Sequence, residues 1–278
     1  IRRIVHPHYH FDHVQADSFF ISRALKYKNK VEVYVPEPDI FRSKPDFSLT
    51  MWSRSALEKK LKPDQLEHFR KFNWFSRALF EPLVACRTPP NILKLLDGKK
   101  VPLGKRTAKV YTTGGHTEGH SFLHIDDGDN ILYTGDHDAM NEYSCDWGKI
   151  LNSVRLAQKI SPDNVFIGHN AVKLGKEKAM GFINGYFTQF EKIFAPILSL
   201  FKSGQTINLT KIIHAKMGWL RKIKIVSIWA HMGLFAISQY LEQNGLGTFE
   251  MNQENQFEFH IKINPAEVDL INLIIKGK

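Results

Sequence analysis

The sequence predicts an α+β fold: a layered sandwich of sheets and helices with a small helical module behind it. Short β-prone runs alternate with amphipathic helical stretches up to about residue 175, the pattern of a layered α/β or α+β domain. Beyond Glu177 the order changes to helix-forming segments followed by a β-hairpin. Size agrees, because 278 residues with 43% hydrophobic content bury a sizeable core without disulfide or metal staples.

The elements follow in order. Ile1 to Val5 is β-prone, Val14 to about Leu25 suits a helix, and Val31 to Val35 reads as a strand ended by Pro36. Leu49 to Ala85 carries aromatic and charged residues at helical spacing and predicts two or three helices, the body of a helical insert over about 49–95. Asp97-Gly98 is a turn, Ala108 to Thr113 and Ser121 to Ile125 are strands, and Asp127-Gly128-Asp129-Asn130 turns into a third, Ile131 to Thr134. Trp147 to Ile160 is a helix, and Asn164 to Ile167 a short buried strand ending at Gly168-His169. These elements assign residues 1–176 to one domain. In 177–278, helices are expected at Ala179 to Lys202, Leu209 to Met217 and Val226 to Asn244, then strands Phe249 to Met251 and Phe257 to Ile261 around Asn252-Gln253-Glu254-Asn255. That order predicts a winged-helix-like module, the alternative being an extension of the first domain.

Charge and cysteine content narrow the setting. Lys and Arg number 38 against 28 Asp and Glu, a net charge of +10, which favours acidic partners such as nucleic acid, nucleotides, acyl-CoA or anionic lipid. A basic enzyme that binds no polymer is the equal alternative. Between Glu191 and Glu242 there is no acidic residue, while Lys192, Lys202, Lys211, Lys216, Arg221, Lys222 and Lys224 all fall there. The stretch 192–224 is therefore the candidate nucleic-acid contact. Cys86 and Cys145 lie far apart and form no CxxC motif, which fits a reducing cytoplasm. The longest apolar run, Ile225 to Ile237, is interrupted by His231 and is too short to cross a bilayer. The expectation is a cytoplasmic protein without a membrane partner, acting on a small molecule, with homo-oligomerisation left open.

His8, His10, Asp12 and His13 fall within six residues as HxHxDH. Alternation on a strand-to-loop segment puts His8 and His10 on one side, and the following turn aims Asp12 and His13 at a neighbouring point. Imidazole nitrogens with carboxylate oxygens are the donor set of zinc, with iron or manganese as alternatives. Gly115-His116-Thr117-Glu118-Gly119-His120, Thr134-Gly135-Asp136 and Ile167-Gly168-His169 each place a ligand-type residue after a β-run beside small residues.

This ordered series resembles the metallo-β-lactamase superfamily over about residues 1–175, and the resemblance implies an αββα sandwich with two metal ions at one edge. It makes His8, His10 and His116 ligands of one metal and Asp12, His13 and His169 of the second, with Asp136 bridging both. Asp12 is also the expected catalytic residue. It would orient a metal-bridging hydroxide for attack on a carbonyl or phosphorus centre. Zinc makes that hydroxide available by lowering the pKa of water from about 15.7 to about 7. His120 is expected to support the ligands from outside, and His6 and His137 either to orient a ligand or to stand as ordinary loop residues.

Within the superfamily the series is closest to the glyoxalase II and β-lactamase-like-2 types, and the tail resembles the winged helix of the latter. The resemblance implies several strands ahead of the HxHxDH loop where only about five residues stand, so the expectation is a truncated N-terminus or strands supplied by another chain. Pro7 occupies a usual Thr or Ser position, and Val14-Gln15-Ala16 replaces a common Gly pair. His10 argues against the flavodiiron branch. Cys145 and Trp147 stand where glutathione-thioester hydrolases carry Lys and Tyr, and Ala139 where lactone hydrolases often carry Tyr. The leading expectation is a two-zinc hydrolase of a small ester, thioester or lactone. An endoribonuclease-like phosphodiesterase with the same metal site is the runner-up. The third reading is a mononuclear iron sulfur oxidoreductase using His8, His116 and Asp136.

Overall fold

The computed structural model describes residues 1–14, 16–40, 92–137, 146–198, 205–208, 211, 238–254 and 256–262. The helix expected at 49–85, the one at 209–217 apart from Lys211, most of the one at 226–244, the apolar run 225–237, Ala139, Cys86 and Cys145 lie outside the described residues.

β1 (Arg3–Val5), β2 (Glu32–Pro36) and β3 (Ile92–Leu95) form a parallel sheet in that order. Helices α1 (Phe11–Val14) and α2 (Asp17–Lys26) connect β1 to β2, and α3 (Glu37–Ile40) follows β2. The central strand is buried on both faces. Val33 and Val35 pack with Ala24 of α2, while Tyr34 packs the other way against the second sheet, as strand alternation requires. Each of the two valines is fully buried, worth roughly 2 kcal/mol of apolar burial.

The second sheet has six strands in sequence order, β4 (Lys100–Leu103), β5 (Arg106–Thr112), β6 (Ser121–Ile125), β7 (Ile131–Tyr133), β8 (Asn164–Phe166) and β9 (Lys173–Leu174). Neighbours are antiparallel except β7 and β8, which run parallel. Val101, Ala108, Val110 and Leu123 meet Tyr34 and Leu95 to form the core between the sheets. Helix α4 (Trp147–Ile160) is capped at its start by the Asp146 side chain, which accepts from the Lys149 amide at 3.1 Å, and ends on Ser161 in the left-handed region. Ile150, Leu151, Val154 and Ala157 form its buried stripe. Helix α5 (Lys176–Leu198) packs on α4, β8 and β9. The layers therefore run helix, sheet, sheet, helix.

A third sheet has the order β10 (Thr206–Asn208), β12 (Phe257–Ile261), β11 (Gly247–Met251), all antiparallel. A helical stretch over 238–243 lies between β10 and β11 in the chain.

Most strands and α4 coincide with the sequence expectation, and the departures are short elements. Residues 92–95, assigned to the helical insert, form β3 instead, because Ile92 and Leu95 complete the apolar faces of the parallel sheet. β4 is absent from the sequence expectation because Pro102 interrupts its pattern; as an edge strand it tolerates a missing amide donor. β9 and β10 have two and three residues, too few to show a period. Of the helix expected from Val14 to Leu25, Val14 ends α1 and the part from Asp17 onward is α2, capped at Ala16. Among the described residues no helix is long and apolar enough to cross a membrane.

Candidate metal centre

Strands β5, β7 and β8 run in one direction, so their C-terminal ends share one edge of the six-stranded sheet. The end of β1 is tied to the same edge by the Ser121 amide, which donates to the Pro7 carbonyl at 2.8 Å. His8, His10 and His13 follow β1, His116 follows β5, Asp136 follows β7 and His169 follows β8. Connections leaving a common sheet edge thus bring together residues from His8 to His169. The turn before His116 needs glycine: Gly115 has φ +93°, and a Cβ there would lie 2.6 Å from Ile150 Cγ1.

The donors form two groups sharing one member. His8, His10, His116 and Asp136 make the first and His13, Asp136 and His169 the second, with donor atoms in each within 4.8 Å of one another. Asp136 Oδ2 lies 3.0 Å from His13 Nε2, 3.1 Å from His169 Nε2 and 3.4 Å from the Nε2 atoms of both His8 and His116. His116 Nε2 is 2.9 Å from His10 Nδ1, and His13 Nε2 is 3.2 Å from His169 Nε2. The first group is the more enclosed: the His8 side chain is fully buried, whereas that of His169 is 51% exposed.

Burial lowers the pKa of His8 to about 3, with positive neighbours adding to the effect, so its imidazole is neutral and its lone pair available. Burial by itself pushes the Asp136 carboxyl up, yet the hydrogen bond with His13 and the close approach of the His8 and His116 rings outweigh it and hold the group far below the usual carboxylate range.

These residues fit a metal. Both ring nitrogens of His8 and Oδ1 of Asp136 are buried and find no hydrogen-bond partner among the described residues. Such groups are costly to bury unless something binds them. Four imidazoles converging on one carboxylate oxygen match the nitrogen and oxygen donor set of a divalent ion such as zinc.

The remaining candidates sit around this cluster. Asp12 belongs to α1 by its backbone, and its side chain lies outside the described residues. His6 lies in neither group; its Nε2 is 2.9 Å from Asp17 Oδ2, both side chains being buried. His120 and His137 are also in neither group. Their Nδ1 atoms lie 2.8 Å from Thr113 Oγ1 and 2.9 Å from Ser153 Oγ respectively. Burial, with neighbouring charge, lowers the pKa of both rings, that of His137 to about 3. Sequence reasoning missed Asp39, a buried carboxylate of α3 bonded to both ligand-bearing loops. It stands alone in Glu37-Pro38-Asp39 with no motif around it, so nothing local distinguishes it from a turn aspartate.

No protein-family model and no curated protein matches the chain. Solved structures do. A β-lactamase domain protein from Burkholderia ambifaria aligns over 94% of this chain and 74% of its own, with a TM-score of 0.66 at 16% identity. A metallo-β-lactamase family protein from Thermus thermophilus aligns over 94% of this chain and 80% of its own, with a TM-score of 0.60 at 16% identity. The fold is that of the metallo-β-lactamases. In this metallo-β-lactamase fold the two His/Asp groups occupy the sheet edge described above. The alignment extends past residue 176, since 94% of the chain is more than its first 176 residues.

Proposed function

We propose that the chain is a binuclear metal-dependent hydrolase acting on a small ester, thioester or lactone in the cytoplasm. The observation that carries this reading is the position of Asp136, whose carboxylate belongs to both donor groups at once. His8, His10 and His116 would hold one ion and His13 and His169, with Asp12, the other. Bound there, a pair of zinc ions would supply a nucleophilic hydroxide near neutral pH and polarise the substrate oxygen. The protein's part is to keep His8 neutral and Asp136 ionised, to hold five imidazoles and one carboxylate in register, and to orient the nucleophile through Asp12. Elemental analysis of the wild type beside Asp136→Ala tests the proposal. About two zinc ions per chain, lost in the variant, support it and lead to hydrolysis assays with thioesters and lactones. One iron per chain overturns it in favour of the mononuclear sulfur oxidoreductase.

One observation favours the phosphodiesterase reading of the same centre. α5, β10, the 238–243 helix and the β11–β12 hairpin follow one another in sequence, and β10 pairs with the last strand. Helices followed by a β-hairpin are the order that suggests a winged-helix-like module, and β10 adds a strand to that hairpin. Such a module would place the lysines of 192–224 against phosphates, and RNA affinity should then fall steeply with salt. Salt-insensitive binding, or RNA cleavage unchanged by alanine at Arg221, Lys222 and Lys224, would remove this role.

A further inference from the structure

Asp39 is 1% exposed and belongs to neither donor group. Its Oδ2 accepts from the Tyr9 amide at 3.2 Å and from the Thr117 hydroxyl at 3.0 Å, and its Oδ1 accepts from the Gly119 amide at 3.1 Å. Tyr9 lies between His8 and His10, and Thr117 follows His116 directly. One buried carboxylate therefore joins two loops that leave different sheets, and each loop carries donors of the first group. Gly119 is pressed onto it: a Cβ there would lie 2.8 Å from Pro36 Cβ and 2.9 Å from Asp39 Oδ1. Burying a carboxylate is costly, and three donors aimed at its two oxygens are the compensation.

We infer that Asp39 is a positioning residue for the first metal site, fixing the separation between the His8–His10 loop and the His116 loop. The inference rests on the metal-centre reading above. Across the two loops His10 Nδ1 and His116 Nε2 stand only 2.9 Å apart, so a small slip of either loop alters the bite offered to an ion. The bonds that tie Asp39 to the two loops run to their backbone and to the Thr117 hydroxyl. Through them it sets where each imidazole starts from, as outer partners of metal ligands do.

The test is zinc titration against a competing chelator, with the absorption spectrum of the cobalt-loaded protein as a second readout, on wild type, Asp39→Ala, Asp39→Asn and Thr117→Val. Asp39→Ala is expected to weaken the first site by about 10- to 100-fold and to shift the cobalt bands. Asp39→Asn, which keeps one acceptor oxygen, and Thr117→Val, which removes one hydrogen bond, should show smaller losses in the same direction. If Asp39→Ala does not fold, the two variants of conserved volume carry the test. A lower Tm with wild-type affinity and an unchanged cobalt spectrum in the folded variants overturns the inference. A wild type that binds no metal sinks the metal-centre reading itself, so the two failures are distinguishable.

Discussion

The rings of His120 and His137 stack face to face, with centroids 4.1 Å apart and planes 3° from parallel. Ser153 Oγ donates its hydrogen to the Ile150 carbonyl at 2.7 Å, so His137 Nδ1 must donate to Ser153. The pair is thus anchored by hydroxyls and packs beside His8, with the His8 and His120 rings 5.5 Å apart. His137→Ala should cost about 2–4 kcal/mol of stability, as large-to-small changes in cores do, while metal content stays at the wild-type level. Denaturant melts and elemental analysis on the same preparation check both halves.

Asp136 is the residue whose loss should affect both ions. Asp136→Asn keeps the volume and removes the charge, leaving His8, His13, His116 and His169 around a neutral amide. Metal content should fall from about two ions per chain to below one, with the chain still folded. Retention of both ions would show that the histidines suffice without the carboxylate.

The two groups should empty one at a time. His169→Ala removes the most exposed donor of the second group and leaves the first intact, so about one ion per chain should remain. Titration of this variant should show a single binding step. Loss of both ions would mean that the two groups do not bind independently.

Gly168 touches the site through its lack of a side chain. A Cβ there would collide with Asp136 Oδ1 and would lie 3.2 Å from the Gly135 carbonyl. Gly168→Ala is expected to displace the Asp136 carboxylate and weaken metal binding by about 10- to 100-fold, although alanine is otherwise a mild change. Chelator competition measures it, and wild-type affinity would contradict the packing described.

Acid should destabilise the metal-stripped protein. His8 and His137 titrate at about 3 in the fold against an ordinary 6.5. Between those values the unfolded chain binds protons that the folded chain does not, so stability is full above 6.5 and falls as pH drops towards 3. Asp136, also held below its usual range, acts in the same direction. Thermal melts after chelator treatment should show Tm declining steadily below about pH 6.5, and a flat profile through that window would refute neutral burial of these rings.

The sequence by itself determined which residues are candidate donors. His8, His10 and His13 are crowded into one loop, and His116, Asp136 and His169 each follow a β-run beside glycine, a local pattern legible without coordinates. It also determined α4 and the strands β6 and β7, whose apolar periods and turn residues agree. Tertiary structure decided which donors meet. The common direction of β5, β7 and β8 brings their ends to one edge, and no local signal carries that direction. It also decided the assignment of Asp136 to both groups, the insertion of β3 beside β2, and the pairing of β10 with β12 far along the chain. Asp39 was illegible for the same reason, and so was the stacking of His120 on His137, two residues that the sequence does single out. The hydrogen-bond partners of Asp39 lie 30 to 80 positions away and Ser153 lies 16 from His137, and a buried carboxylate or imidazole is defined by the groups the fold places around it.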